Sequence, residues 1–288
     1  MKSGNRLLNG DQDLNTGPFY ATAASVSYFA GYSAMFPPLD TVTETSPYSM
    51  IGSLLAPTDT IGGQLGYRDR KFAVVTGAAS GIGLACVQRL QDFDYDLQLL
   101  DINSPKGSQI EQIDLSKEVP HLRRAPDVVV VSHGIGGLGN TWEKVFDVNV
   151  FGVRNVVEAA IKRMLEENKQ GSIVLIASMT GPVVGNLGMN VSHYAASKGA
   201  VVGYMRQRAV ELSMSNIRIN AVCPGPVVSP MTDKLRDRDR RLYDEFFGRC
   251  LLSGYTTPTD IADAVMYLAH ARRVTGQTLV VDGGYTIW

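Results

Sequence analysis

Little in this sequence suits an oxidising compartment or a metal centre. Its three cysteines, Cys86, Cys223 and Cys250, are an odd number with no CxxC and no Cys/His ligand spacing, so neither a disulfide framework nor a metal site is expected. No uninterrupted apolar run reaches the roughly 18 residues that a membrane-spanning helix needs. The N-terminus also lacks the basic stretch and apolar core of a secretory signal. Charge of one sign is missing too: 27 Lys and Arg stand against 28 Asp and Glu. No basic excess is present to release counterions from a phosphate backbone, and no nucleic-acid partner is expected. Internal repeats and low-complexity tracts are absent. What remains, with 44% hydrophobic and 19% charged residues over 288 positions, is a globular chain able to bury a substantial core, suited to a reducing cytoplasm.

The chain divides by composition. Residues 1–70 are rich in Ser, Thr, Gly and Ala and include Tyr20, Tyr28, Tyr32, Tyr48 and Tyr67, without strand alternation. Asp11, Asp13, Asp40, Glu44 and Asp59 argue against an organellar transit peptide, which is acid-poor. A helix over 20–35, stopped by Pro37 and Pro38, is expected. Two readings of this arm stand open: a flexible or non-native extension, and an ordered arm packed on a partner subunit or over a site. From 71 to 288 the character changes. Runs at 72–76, 97–101, 127–131, 172–177, 217–222 and 279–282, with a shorter one at 110–113, are apolar on both faces, as strands of a covered parallel sheet are. Between them, 82–92, 141–167, 193–214 and 259–270 carry apolar residues at helical spacing. This alternation predicts an α/β fold with a doubly wound parallel sheet, a single Rossmann domain preceded by the arm.

The first strand runs into Thr76-Gly77-Ala78-Ala79-Ser80-Gly81-Ile82-Gly83, and a helix follows. Glycines let the backbone approach a pyrophosphate closely, and the amides and dipole at a helix start favour negative charge. Gly77, Ser80, Gly81, Ile82 and Gly83 are therefore the candidate dinucleotide-binding residues. A plain structural turn is the simpler alternative, but its place between strand and helix, with Asp101 ending the next strand, sharpens the functional one. A carboxylate at Asp101 can accept hydrogen bonds from both adenosine ribose hydroxyls and would repel a 2′-phosphate, so NAD is expected over NADP. Asp114, followed by Leu115, either lies near the adenine amino group or caps a short helix starting at Ser116.

Tyr194 and Lys198 stand four apart in a helical segment, on one face. A phenol ordinarily has a pKa of about 10, and a unit charge ~4 Å away at an effective dielectric near 20 is worth about 4 kcal/mol, or roughly three pKa units. With the positive charge of an oxidised nicotinamide added, Tyr194 becomes a usable base near neutral pH. Ser178 follows the strand at 172–177, and its hydroxyl would reach a substrate oxygen at the carboxyl end of the sheet. Asn149 lies inside a long helical stretch where an amide needs partners; it either holds a water that relays protons towards Lys198 or bends the helix.

Taken together, the glycine turn, Asn149, Ser178 and Tyr194-x-x-x-Lys198 resemble the short-chain dehydrogenase/reductase family over about 71–284. The resemblance implies a homotetramer or homodimer in which Tyr194 is the acid/base, Ser178 orients the carbonyl or alcohol, Lys198 tunes Tyr194 and binds the nicotinamide ribose, and Asn149 supports the relay. It also implies cofactor contacts at Gly134, Pro224, Gly225 and Val227, the last, with Val228, through its backbone to the nicotinamide amide. Three features depart from the family pattern. Ser132-His133-Gly134 stands where the family has Asn-Ala-Gly, the stretch 101–127 is trimmed in a way similar to bacterial hydroxysteroid dehydrogenase/carbonyl reductase relatives, and the loop 185–193 is longer. His193, in that loop, either touches substrate or faces solvent, with solvent the simpler reading.

Met179, Val183, Val184, Met189, Met231, Phe246, Phe247 and Leu251 are expected to form an apolar rim, closed by the segment 229–252. Arg236, Arg238, Arg240 and Arg241 read as the solvated face of a helix there. The expected activity is that of an NAD(H)-dependent oxidoreductase interconverting a secondary alcohol and a ketone. The alternatives are an NAD-using epimerase or dehydratase and a non-catalytic dinucleotide-binding regulatory subunit.

Overall fold

A computed structural model of the chain describes residues 70–186 and 188–288; the arm over 1–69, including the helix expected at 20–35, lies outside the described residues. Strands β1 (Phe72–Thr76), β2 (Asp96–Asp101), β3 (Ile110–Gln112), β4 (Val128–Val131), β5 (Gly171–Ile176), β6 (Ile217–Pro224) and β7 (Thr278–Val281) form one sheet in the order β3-β2-β1-β4-β5-β6-β7. Every neighbouring pair is parallel. The α/β reading from the sequence therefore holds, and so do the strands, within a residue or two of their expected ends.

The period of two along each strand explains why both faces are apolar. In β1, Phe72 and Val74 enter a core layer with Val156, Ile161 and Met205, while Ala73 and Val75 enter the opposite layer with Leu90, Ile261 and Leu268. The first layer is built by helices α3 (Val153–Glu166) and α4 (Ser192–Glu211), the second by α1 (Gly81–Asp92) and α7 (Pro258–His270). A Val or Leu fully buried in this way contributes about 1.5–3 kcal/mol. Val128–Val131, four valines in a row and all buried, suits the sheet centre because β-branched side chains pack well on a pleated surface covered on both sides.

Two expected elements differ. The continuous helix over 141–167 is divided into α2 (Trp142–Phe146), a π-helical segment at Asp147–Gly152, and α3. Hydrophobic spacing does not register this widening, in which the buried Asn149 amide lies. The short helix expected from Ser116 is only a turn at 115–117. There the Asp114 carboxylate accepts from the Ser116 amide at 3.1 Å and from the Ser116 hydroxyl at 2.6 Å, and Pro120 prevents extension. Between Asp101 and Asp127 the structure holds β3 and no helix, so this stretch is as trimmed as the sequence suggests.

The chain lays β2 and β3 on one side of β1 and then crosses to β4 on the other, which opens a crevice at the carboxyl ends of β1 and β4. There the Thr76 hydroxyl accepts from the Ser132 amide at 3.1 Å and bonds the His133 Nδ1 at 2.7 Å. Because Thr76 Oγ1 supplies its own proton to Nδ1 while accepting backbone amides, we assign His133 the Nε2–H tautomer. Nε2 is buried against the π segment without a well-formed hydrogen bond. Burial, and then the Lys198 charge, depress the His133 pKa to about 3, with the Val148 carbonyl opposing.

At Gly83 a Cβ would stand 2.0 Å from the Gly77 carbonyl oxygen, whereas at the exposed helical Gly203 it would meet nothing within 4 Å. Gly83→Ala is expected to destabilise by about 1–3 kcal/mol, and Gly203→Ala to stabilise by about 0.5–1 kcal/mol, both read from thermal melts. For His133 the unfolded chain, with a pKa of about 6.5, binds a proton that the folded chain refuses. Its share of stability is whole above pH 6.5 and is lost as pH falls towards 3. His133→Gln should flatten the fall in Tm across that window, and an unchanged slope counts against the assignment.

Candidate active site

The crevice begins at the glycine turn. Gly77 and Gly81 have φ of +66° and +54°, a left-handed conformation that glycine adopts without strain. Gly77 must also lack a side chain, since a Cβ would lie 2.8 Å from the His133 amide nitrogen. At Gly83 the missing Cβ lets α1 pack on the turn itself. Ser80, exposed and at the N-cap of α1, makes no side-chain cap, so it takes none of the helix's leading amides from an anion. Ile82 packs partly against the α1–α7 core layer. These features fit the phosphates of a dinucleotide. Asp101 ends β2 beside this turn, its carboxylate accepting from the Ala79 amide at 3.0 Å and the Asn103 amide at 2.8 Å.

Asp114 is engaged as a local cap. Besides Ser116 it pairs with Lys117 at 3.1 Å, and hydrogen bonding from Ser116, then Lys117, holds its carboxyl below the usual range. The Leu115 side chain lies in the core, and its carbonyl accepts from Asn155 at 3.0 Å. On the far side, Gly225 is required by close approach, because a Cβ would stand 2.6 Å from Asp282 Cα. It follows Pro224, the last residue of β6. The Val227 carbonyl accepts from the Thr232 hydroxyl at 2.7 Å, and the Val228 amide donates to Thr256 at 3.0 Å. The Thr232 bond uses one of the two lone pairs of the Val227 carbonyl.

Tyr194 and Lys198 lie on the first turns of α4, and Lys198 is buried, its Nζ 5.8 Å from the Tyr194 ring centre. The ammonium donates to the Ile176 carbonyl at 2.9 Å. Burial pulls its pKa down to about 8, with the neighbouring Cys223 thiol opposing. Burial raises the Tyr194 phenol above its ordinary value, while Ser178 lowers it through a hydrogen bond. The depression of the phenol expected from the lysine charge is thus not a property of the protein by itself. Ser178, just past β5, is buried and oriented by the Thr180 amide, which donates to its hydroxyl at 3.0 Å.

Asn149, wholly buried on the π segment, has every side-chain polar atom engaged. It accepts from the Ile135 amide at 2.8 Å and donates to the Ile135 carbonyl at 3.0 Å and to the Ser197 hydroxyl at 3.2 Å. Ser197 in turn donates to the Tyr194 carbonyl at 2.7 Å. Gly134 lies between these groups; a Cβ there would be 3.1 Å from Asn149 Oδ1 and 3.5 Å from Lys198 Nζ. Ser197 and Thr76 were missed as site residues in the sequence. A hydroxyl three residues after Tyr194 on the same helix face was the available signal for Ser197, and its place at the head of the glycine run was the signal for Thr76.

Helices α5 (Pro230–Arg238) and α6 (Arg240–Gly248) occupy the segment expected to close the crevice. Leu235, Tyr243 and Phe247 are buried there with Leu138, Met189, Val228, Leu242 and Phe246 around them. The arginine run faces outward in ion pairs, Arg236 with Asp233, Arg240 with Asp244 and Arg241 with Glu245. Of the expected rim, Met179 is instead fully buried, while Val183, Met231 and Leu251 are exposed. His193 does not face solvent: it is buried, with Nε2 donating to the Gly137 carbonyl at 2.9 Å.

A family model described as Enoyl-(Acyl carrier protein) reductase matches residues 126–286. The chain is similar to the 3-oxoacyl-[acyl-carrier-protein] reductase FabG of Staphylococcus aureus (strain Mu50 / ATCC 700699), 32% identical over 246 residues that cover 74% of this chain and 97% of that protein. Among solved structures, Thermoplasma acidophilum aldohexose dehydrogenase superposes with a TM-score of 0.69 at 28% identity, covering 76% of this chain and 95% of that one. A 4-hydroxyisoleucine dehydrogenase complexed with NADH superposes with a TM-score of 0.66 at 28% identity, covering 76% and 100%. With the glycine turn, the buried Asn149 amide, Ser178 and the Tyr194–Lys198 pair gathered at one end of the sheet, the chain belongs to the short-chain dehydrogenase/reductase family.

Proposed function

We propose that this dehydrogenase/reductase interconverts a secondary alcohol and a ketone with NAD(H), Tyr194 moving the proton. The observation that carries the reading is the Tyr194–Lys198 pair on α4, a half-buried phenol and a buried ammonium, beside Ser178. A bound nicotinamide supplies the hydride acceptor or donor. The rest is the work of the chain. In the oxidative direction Ser178 donates a hydrogen bond to the substrate oxygen, and Tyr194 takes the hydroxyl proton as the carbon–hydrogen bond gives up its electron pair. In reduction the phenol returns that proton to the new alkoxide. Lys198, fixed on the Ile176 carbonyl, keeps a positive charge near the phenolate and can reach a ribose hydroxyl. Asn149 supports a relay beyond it.

Preference for NAD over NADP rests on Asp101 and on the lack of any Lys or Arg in 77–83 or 101–103, which leaves a 2′-phosphate opposed by a carboxylate without a local countercharge. The apolar cluster under α5 and α6 favours a partly hydrophobic, medium-sized substrate. Three free thiols fit the cytoplasm. Exposed Val210, Met214 and Tyr267 fit a homo-oligomer.

Purified protein, titrated with NADH and NADPH and then assayed with NAD against a panel of secondary alcohols, tests the reading. Tyr194→Phe should lower turnover by about 10²–10⁴-fold while still binding NADH; full activity in that variant sinks the mechanism. Asp101→Ser should weaken NADH and tighten NADPH, each by about tenfold. Wild-type protein that binds NADPH more tightly than NADH refutes the role given to Asp101.

A further inference from the structure

Helix α4 begins without the usual support. Val191 stands at its N-cap and makes no side-chain cap hydrogen bond, so the first turn, which carries Tyr194 as its third residue, lacks the bond that normally fixes such a turn. An unsupported first turn frays, and fraying here would move the phenol.

A support comes from the side. The second residue of the turn, His193, is buried and donates from Nε2 to the Gly137 carbonyl at 2.9 Å. Since a carbonyl only accepts, Nε2 must carry the proton. The Gly137 carbonyl also accepts from the Asn140 amide at 3.2 Å, which uses its second lone pair. The other side of the imidazole meets Trp142, with ring centres 5.8 Å apart, and Trp142 in turn stacks on Phe146 at 5.8 Å.

The loop that His193 grips is Gly134-Ile135-Gly136-Gly137-Leu138-Gly139-Asn140, four glycines in seven residues. Such a segment loses much freedom when held, so it stays in place only if its backbone is bonded. Asn149 holds it at Ile135 through both amide and carbonyl, and Asn140 Nδ2 donates to the Gly136 carbonyl at 2.9 Å. At its centre the loop presses on the helix start: a Cβ at Gly137 would stand 2.9 Å from Val191 Cβ and 3.1 Å from Tyr194 Cβ. Loop and turn therefore fix each other, and His193 is the side chain that joins them.

We propose that His193 is a positioning residue: its hydrogen bond to the Gly137 carbonyl, backed by Trp142, latches the glycine loop to the uncapped start of α4 and holds the Tyr194 phenol in line with its substrate. This rests on the reading of Tyr194 as the acid/base. It does not require His193 to touch substrate.

The test compares His193→Leu, which removes the donor and keeps bulk, with His193→Gln, which keeps a donor. Both are made in a Trp288→Phe background that leaves Trp142 as the chain's one tryptophan. His193→Leu should lower kcat about tenfold or more, leave NADH affinity within about twofold, and make Trp142 more accessible to iodide quenching. His193→Gln should restore most of kcat. A kcat equal to wild type in His193→Leu overturns the proposal, as does a rise in KM for the alcohol with kcat intact, which would mark a substrate contact instead. A Gln variant as impaired as the Leu variant also overturns it. Should His193→Leu fail to fold, Trp142→Ala, at a half-exposed site, carries the comparison: a smaller loss of kcat supports the latch and no loss refutes it. If wild-type protein turns over no alcohol, the acid/base reading fails, and iodide quenching of Trp142 in the His193 variants still decides whether the latch exists.

Discussion

The amide of Asn149 has no access to water, so each of its polar atoms must find a partner inside the protein or cost about 1–3 kcal/mol. It finds them in two places at once. Ile135 takes one side through both of its backbone groups, and Ser197 takes the other, passing the restraint to the carbonyl of Tyr194. Three segments remote in sequence are thereby held to one geometry: the glycine loop after β4, the π segment, and the start of α4. Asn149 lies in the widened π turn at Asp147–Gly152, a helix irregularity often found at functional sites.

Burial sets the electrostatics of the same region. The Lys198 ammonium donates to the Ile176 carbonyl, and burial lowers its pKa to about 8. Tyr194, raised by the same burial, is the weaker acid of the pair in the protein alone. Both groups lie in the crevice, so any charge brought into it shifts both. A site of this kind is tuned by what binds to it, which is how a phenol with an unfavourable resting state can serve near neutral pH.

His133 shows how one unusual residue is absorbed. Where the resemblance leads one to expect a small side chain, an imidazole is inserted between β1 and the π segment. Thr76 fixes its tautomer, and Gly152 makes room: a Cβ there would stand 2.9 Å from Nε2. The ring therefore stays neutral and adds a link between β1, β4 and the π segment close to Lys198. The apolar closure made by α5 and α6 is attached to the same framework through Leu138, so the loop held by Asn149 and His193 also carries part of the cover.

Much of this was legible in the order of residues. Runs of Val, Ile and Leu such as 128–131 specify strands covered on both faces, and the glycines at 77 and 81 specify a left-handed turn. The four-residue spacing of Tyr194 and Lys198 put them on one helix face before any packing was known. These are local properties, set by backbone sterics and side-chain period over a few residues. The interruption of the helix at 147–152, the enclosure of His193, and the phenol raised in place of lowered were decided only by the tertiary structure. Each depends on what lies across space from the residue, a carbonyl at Gly137 or a hydroxyl at Ser197. Hydrogen-bond demand and desolvation act between groups that the chain brings together only after it has folded.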